Sequence, residues 1–216
     1  METTSFVRDL ERFKAERLSP LLAAGPMSLG GGPADARRML EIALANEINV
    51  SELAAAWTPD TPEIDVKLAF ARQAGDEASH FQLVADRLAA LGFEVAAFEQ
   101  PAESPLFRYL KGLSSTVERI AGGLFTLESI AYGVNESFIA FCEARADAET
   151  ARIYRAYIQP DERAHQELGG RLLAKYADTP ERQRAAREVV AKVIEIAASG
   201  RAQAAQRLGT ACFPGC

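Results

Sequence analysis

The sequence predicts an all-α fold: a bundle of helices with one long crossover and extra helices at its N- and C-terminal ends. Three observations carry that expectation. Apolar residues recur with the helical period almost throughout. Sustained period-2 alternation and Asn-Gly or Asp-Gly hairpin turns are missing from the pattern. The breakers fall in an order that pairs the helices. The composition agrees: Ala, Leu, Glu and Arg dominate the 216 residues, and all four favour helix.

The first helix is expected over residues 3–23, broken by Gly25-Pro26 and the Gly30-Gly31-Gly32-Pro33 run. A second spans about 34–57. Thr58-Pro59-Asp60-Thr61-Pro62 stops it and starts a third over about 62–91, with Pro62 in its first turn and Gly92 at its end. Residues 93–113 form a long connection with a short helix near 105–111. A fourth helix spans about 114–145, a fifth about 148–177 with Asp147 as its cap, and a sixth about 180–208 behind Thr179-Pro180. Helices two and three are joined tightly, as are four and five, and the long connection separates the two pairs. Four-helix bundles with a single crossover have that order. The chain reads as a single domain, 1–216, with its core in 34–177 and helices 3–23 and 180–208 packed outside.

Composition narrows the function classes. A net charge of −6 gives no basic field for nucleic acid. No apolar run reaches the length of a membrane span. The opening METTSFVRDLERFK has no signal-peptide core, so a cytoplasmic location is expected. Three cysteines do not make a disulfide framework. Cys142 lies in an apolar stretch and is expected in the core, while Cys212 and Cys216 close the chain as free thiols. No phosphate-cradling or dinucleotide glycine fingerprint is present.

The chemistry lies in the only two histidines. They stand in Asp76-Glu77-Ala78-Ser79-His80 and Asp161-Glu162-Arg163-Ala164-His165, both Asp-Glu-x-x-His. From the composition, chance places both patterns about once in sixty thousand sequences. Residues at i and i+3 share a helix face, so each motif aims one carboxylate and one imidazole at a common point. Two ligands do not hold a metal, and the remainder must come from facing helices. Glu47 is the helix-two carboxylate on the better apolar stripe, with Leu40, Leu44, Ser51 and Ala54. Glu128 is its counterpart on helix four, with Ala121, Leu124, Asn135, Ile139 and Cys142. The motif helices have matching stripes: Val66, Phe70, Glu77, His80, Val84 and Leu88 on one; Ile158, Glu162, His165, Gly169 and Leu172 on the other. Burying six such groups without a compensating cation is costly. Metal-bound imidazoles donate their far N–H to a carboxylate. Asp161 is therefore expected on His80, and Asp76 on His165. Tyr132, Glu136, Asn135 and Gln73 lie near the same faces as accessory candidates. Thr126 does too; ordinary interhelical hydrogen bonds are the plainer reading of Thr126, Asn135 and Gln73, and core packing that of Tyr132. Gly122, Gly123 and Gly133 in a helix call for a reason such as close approach, and Trp57 reads as a core anchor.

The paired motifs, the upstream Glu47 and Glu128, and the tight-pair, crossover, tight-pair order resemble the ferritin-like diiron oxygenases and oxidases over residues 34–177. The resemblance implies a ferritin-like four-helix bundle with two iron ions and O2 activation. Manganese or a mixed manganese–iron pair suits the same donors. It also implies a small organic substrate and an external electron donor, since no flavin, haem or iron–sulfur motif is visible, and a homodimer is compatible with it. The chain departs from related groups in ways that narrow the expectation. Val84 replaces the radical tyrosine of the ribonucleotide reductase subunit. Three cysteines cannot build the extra iron domain of rubrerythrins. Storage ferritins lack the second Glu-x-x-His. A small hydroxylase acting on an organic substrate is the leading expectation. A rubrerythrin-like peroxide or O2 reductase and a tRNA-modifying hydroxylase are the alternatives.

Overall fold

The computed structural model describes residues 2–23, 36–208 and 214, and all regular elements among them are helical. They are α1 (Thr3–Leu22), α2 (Ala36–Trp57), α3 (Ile64–Ala90), α4 (Pro105–Lys111), α5 (Thr116–Ile120), α6 (Glu128–Ala144), α7 (Ala148–Ile153), α8 (Gln159–Tyr176) and α9 (Pro180–Leu208). A 3₁₀ turn covers Val95–Ala97. Two π-helical segments, Ala121–Leu127 and Tyr154–Ile158, join α5 to α6 and α7 to α8, so each of those pairs is one continuous rod. The Gly25–Pro33 breaker run and the two terminal cysteines lie outside the described residues.

The boundaries follow local chemistry. Gly92 ends α3 with φ +85°, and Phe93 N–H reaches back to the Leu88 carbonyl at 2.9 Å, a glycine-closed helix end. Pro62 lies outside α3 instead of in its first turn, because Glu63 is extended at the N-cap and Ile64 opens the helix. Ser104 caps α4 ahead of Pro105. Ser115 and Glu118 form a reciprocal capping box on α5. Asp147 caps α7 through Thr150 N–H at 3.1 Å.

Two apolar clusters sandwich a polar layer. One holds Phe6, Leu10, Val50, Phe70, Leu124, Leu172 and Val190; the other holds Leu44, Val84, Leu88, Phe138, Ile139 and Ile158. On α2 the chain passes from Leu44 in the second cluster to Val50 in the first, and Glu47 lies between them. On α3 it passes from Phe70 to Val84 with Gln73, Glu77 and His80 between, and on the α7–α8 rod from Ile158 to Leu172 with Glu162 and His165 between. Glu128 lies on the α5–α6 rod between Leu124 and Phe138. Each of the four rods therefore interrupts its apolar stripe at the same level.

Close approaches explain the glycines. A Cβ on Gly123 would meet the Trp57 ring at 2.8 Å, and one on Gly133 would meet Leu22 at 2.6 Å. A Cβ on Gly169 of α8 would meet the Phe125 backbone nitrogen at 2.7 Å. Gly169 thus lets α8 lie directly against the first π-helical segment, backbone to backbone. Trp57 is buried against Phe70 with ring centroids 5.3 Å apart, and Cys142 is a buried core thiol.

Candidate metal centre

Six buried side chains meet in the polar layer. Glu47, Glu77, His80 and Glu162 each offer a donor atom within 4.8 Å of one another, and so do Glu77, Glu128, Glu162 and His165. All six are at most 4% exposed. Glu77 and Glu162 belong to both groups, so the two groups form one cluster with two shared carboxylates, each end completed by one Glu and one His.

The imidazoles are oriented alike. His80 turns Nδ1 inward, 3.2 Å from Glu77 Oε2 and 3.6 Å from Glu47 Oε2. Its Nε2 turns outward onto Asp161 Oδ2 at 3.2 Å. His165 turns Nδ1 inward, 3.5 Å from Glu77 Oε1 and 3.8 Å from Glu128 Oε2, and its Nε2 meets Asp76 Oδ2 at 2.9 Å. Each aspartate crosses between α3 and α8 to hold the histidine of the other motif. An Nε2–H fixed this way leaves Nδ1 as the free lone pair.

The donors suit a cation. Glu47 Oε1, Glu77 Oε1, Glu128 Oε2, Glu162 Oε2 and His165 Nδ1 are buried with no hydrogen-bond partner. Buried polar atoms are normally satisfied, and five orphans among the residues of two overlapping donor groups are what divalent ions would satisfy. Carboxylate and imidazole donors fit iron, manganese or zinc better than softer ions. These residues could therefore hold metal.

The metal-free charge state shows the same strain. Burial, aided by Glu77, pushes Glu47 up to about 8 despite the opposing pull of His80. Burial raises Glu162 well above the carboxylate range, and the neighbouring Glu128, Glu77 and Glu47 add to it. Burial would lower both histidines, but the facing carboxylates outweigh it and lift each to about 11. Burial would raise Glu77, yet His165 and His80 pull it down to about 2. Protons thus take the place of positive charge, and metal must displace them.

The accessory candidates divide. Gln73 is buried, and its Nε2 donates a short hydrogen bond to Glu128 Oε1. Asn135 is buried on α6, two turns beyond Glu128. Tyr132 and Glu136 are not brought to the cluster. Tyr132 is half-buried beside Glu11, Arg163 and Gln166 in a surface cleft. Glu136 is exposed and accepts from Gln159 Nε2. Thr126 bonds the Ala121 carbonyl five residues back at 2.6 Å, within the π-helical segment.

Three features escaped the sequence reading. Both π-helical segments run immediately into helices bearing site carboxylates: one ends at Leu127, directly before Glu128, and the other at Ile158, four residues before Glu162. Such segments recur at functional sites because they rotate the following side chains out of regular phase. Lys14 of α1 is buried, donating to Ser129 Oγ at 2.8 Å and to the Phe125 carbonyl at 3.1 Å, so it braces the first segment beside Glu128. Its signal was legible as a cation within the stripe Phe6, Leu10, Lys14, Leu18. Tyr154 is the third, fully buried at the head of the second segment.

Residues 39–211 match the profile of a family described as a protein of unknown function, DUF455. The chain belongs to that family. The matched region takes in all six donors and both aspartates, and leaves α1 outside it. No curated protein and no solved structure matches the chain.

Proposed function

We propose that this DUF455 protein is a ferritin-like diiron oxidoreductase that uses O2 to oxidise a small organic substrate. The observation that carries it is the sharing of Glu77 and Glu162 between two four-donor groups, with each imidazole anchored on an aspartate of the opposite motif. A mononuclear or structural site has no use for two shared carboxylates at the level where four rods meet. In this reading α2, α3, the α5–α6 rod and the α7–α8 rod are the four helices of the bundle, with residues 91–115 as crossover. α1 and α9 pack outside it.

Two iron ions would be held by Glu47 and His80 on one side, Glu128 and His165 on the other, with Glu77 and Glu162 between them. When bound, they supply two-electron reduction of O2, with reducing equivalents from an external donor. The chain's own residues do the rest. Asp161 and Asp76 fix the tautomer and ring plane of the imidazoles. Gln73 holds Glu128 in one orientation. The two apolar clusters exclude water on both sides, which strengthens every charge interaction in the layer.

One observation favours a second reading, a peroxide or O2 reductase without an organic substrate. Four clefts of about 400 to 490 Å³ lie among the described residues with none of the six donors in their walls. The largest, walled by Phe93, Phe98 and Phe107, lies on the face of α2 turned away from Glu47. An enclosed centre suits a diatomic reactant. Anaerobic loading with ferrous iron, followed by an oxygen electrode with a chemical reductant, tests both readings. O2 consumed once per centre and then stalling supports the oxygenase. Continuous turnover on O2 or peroxide with no organic compound present supports the reductase, and no O2 consumption defeats both.

A further inference from the structure

The apolar cluster bordering the Glu47–His80 half of the site contains a donor with nothing to donate to. Tyr154 is fully buried, and its hydroxyl has no hydrogen-bond partner. Its ring meets Phe138 edge-on at 4.9 Å, which fixes the side chain within the apolar cluster of Leu44, Val84 and Ile139. That cluster borders this half of the site: Leu44 lies one turn before Glu47, Val84 one turn after His80 and Ile158 one turn before Glu162. Glu47 Oε1 and Glu162 Oε2 are themselves buried without partners. An unpaired buried hydroxyl costs about 1–3 kcal/mol, and phenylalanine would fill the same volume without that cost. No side chain accepts a hydrogen bond from the phenol, so the geometry suits a group that donates to an arriving acceptor. At the other half Gln73 donates to Glu128 Oε1, while Glu128 Oε2 and His165 Nδ1 are without partners.

Resting on the two-metal reading, we infer that the Tyr154 hydroxyl donates a hydrogen bond to a diatomic or triatomic ligand bound at the Glu47–His80 half, making that half the entry side for exogenous ligands. The apolar wall sets the size limit, and Tyr154 supplies the one directional contact. A ligand with a hydrogen-bond-accepting terminal atom satisfies the hydroxyl, whereas a bulky polar substrate does not fit the packing around it.

The test uses full-length protein loaded with ferric iron, with azide as probe. Tyr154→Phe keeps two metal ions per chain and binds azide about tenfold more weakly, the loss expected for one hydrogen bond. In the wild-type protein the infrared stretch of bound azide shifts on transfer to D2O, and the shift disappears in Tyr154→Phe. The metal-free variant melts no lower than wild type, because the hydroxyl it lacks had no partner. Unchanged azide affinity, or a wild-type stretch insensitive to D2O, overturns the inference while leaving the two-metal centre standing. Loss of metal from Tyr154→Phe also overturns it, since the tyrosine would then be supporting the ligands themselves. A wild-type chain that takes up fewer than two ions defeats the centre and this inference together.

Discussion

The two ends of the cluster carry the same donors but are held differently. At the Glu128–His165 end every neighbour is tied down. Gln73 donates to Glu128, Lys14 and Ser129 brace the adjoining π-helical segment, Gly169 admits α8 against it, and Asp76 holds His165 at 2.9 Å. At the Glu47–His80 end the carboxylate rises from a regular helix, the bordering apolar cluster holds Tyr154 with its hydroxyl unpartnered, and Asp161 meets His80 at the longer distance of 3.2 Å. Donor atoms without partners thus occur at both ends, and the ends differ in their surroundings: side chains brace one, and an unpaired phenol lies in the apolar cluster that borders the other. That division suits a centre in which one metal is anchored and the other exchanges ligands.

The comparison can be broken most severely at the histidines. His165→Ala and His80→Ala each remove an inward Nδ1 from a buried acidic site, and each is expected to reduce bound metal from two ions to at most one by elemental analysis. Retention of two ions by either variant contradicts the ligand assignment.

Next in size is the pH response of the whole layer. The metal-free protein binds protons more tightly folded than unfolded at Glu47, Glu162, His80 and His165. Their stabilisation is present below the unfolded values, near 4.5 for the carboxylates and 6.5 for the imidazoles. It is lost as pH rises through about 8 for Glu47 and about 11 for the histidines. Glu77 acts oppositely, and only as pH falls from 4.5 through about 2. Melting of metal-free protein is therefore expected to drop between pH 5 and pH 9, by about 1.4 kcal/mol per pH unit for each proton of difference. Metal-loaded protein is expected to gain stability over the same range, because binding releases those protons. Parallel curves for the two forms would show that the cluster does not exchange protons for metal.

Asp76→Asn and Asp161→Asn sharpen the contrast between ends. Loss of a carboxylate behind a metal-bound imidazole costs roughly 10–100-fold in affinity. Asp76, closer and less exposed than Asp161, is expected to fall toward the upper end of that range in competitive chelator titrations. Equal losses would erase the distinction.

The smallest effect is expected at Lys14. Lys14→Met keeps the aliphatic stem but removes hydrogen bonds to Ser129 and Phe125, destabilising the fold by about 1–3 kcal/mol in chemical denaturation. Weakened binding of one ion with the other unchanged would place the bracing at the Glu128 end. Equal weakening of both would contradict it.

Much of this site was legible in the sequence because its logic is local. Glu-x-x-His puts two donors on one helix face whatever the tertiary fold, and the apolar stripes around Glu47 and Glu128 select those carboxylates from their neighbours. The aspartates follow from the same phase, one residue off the ligand face and pointing at the adjacent rod. What escaped depends on hydrogen-bond register or on distant packing. A π-helical turn shifts the ladder by one residue without disturbing the apolar periodicity, so Gly122 and Gly123 called for a reason without revealing this one. Tyr132, one turn from Glu128, looked closer to the site than Tyr154, yet it ends in a surface cleft while Tyr154 is buried in the apolar cluster. Pro62 fits a helix start by composition, but the extended Glu63 moves that start to Ile64. Lys14 becomes meaningful only once α1 is seen against the Phe125–Ser129 stretch, 111 and 115 residues away in sequence.

The most direct measurement is the stoichiometry of tightly bound iron after anaerobic loading and desalting, read by elemental analysis and Mössbauer spectroscopy. Two ions per chain with magnetic coupling through the shared Glu77 and Glu162 are expected, whereas a single uncoupled ion, or none, would contradict a centre built across all four rods.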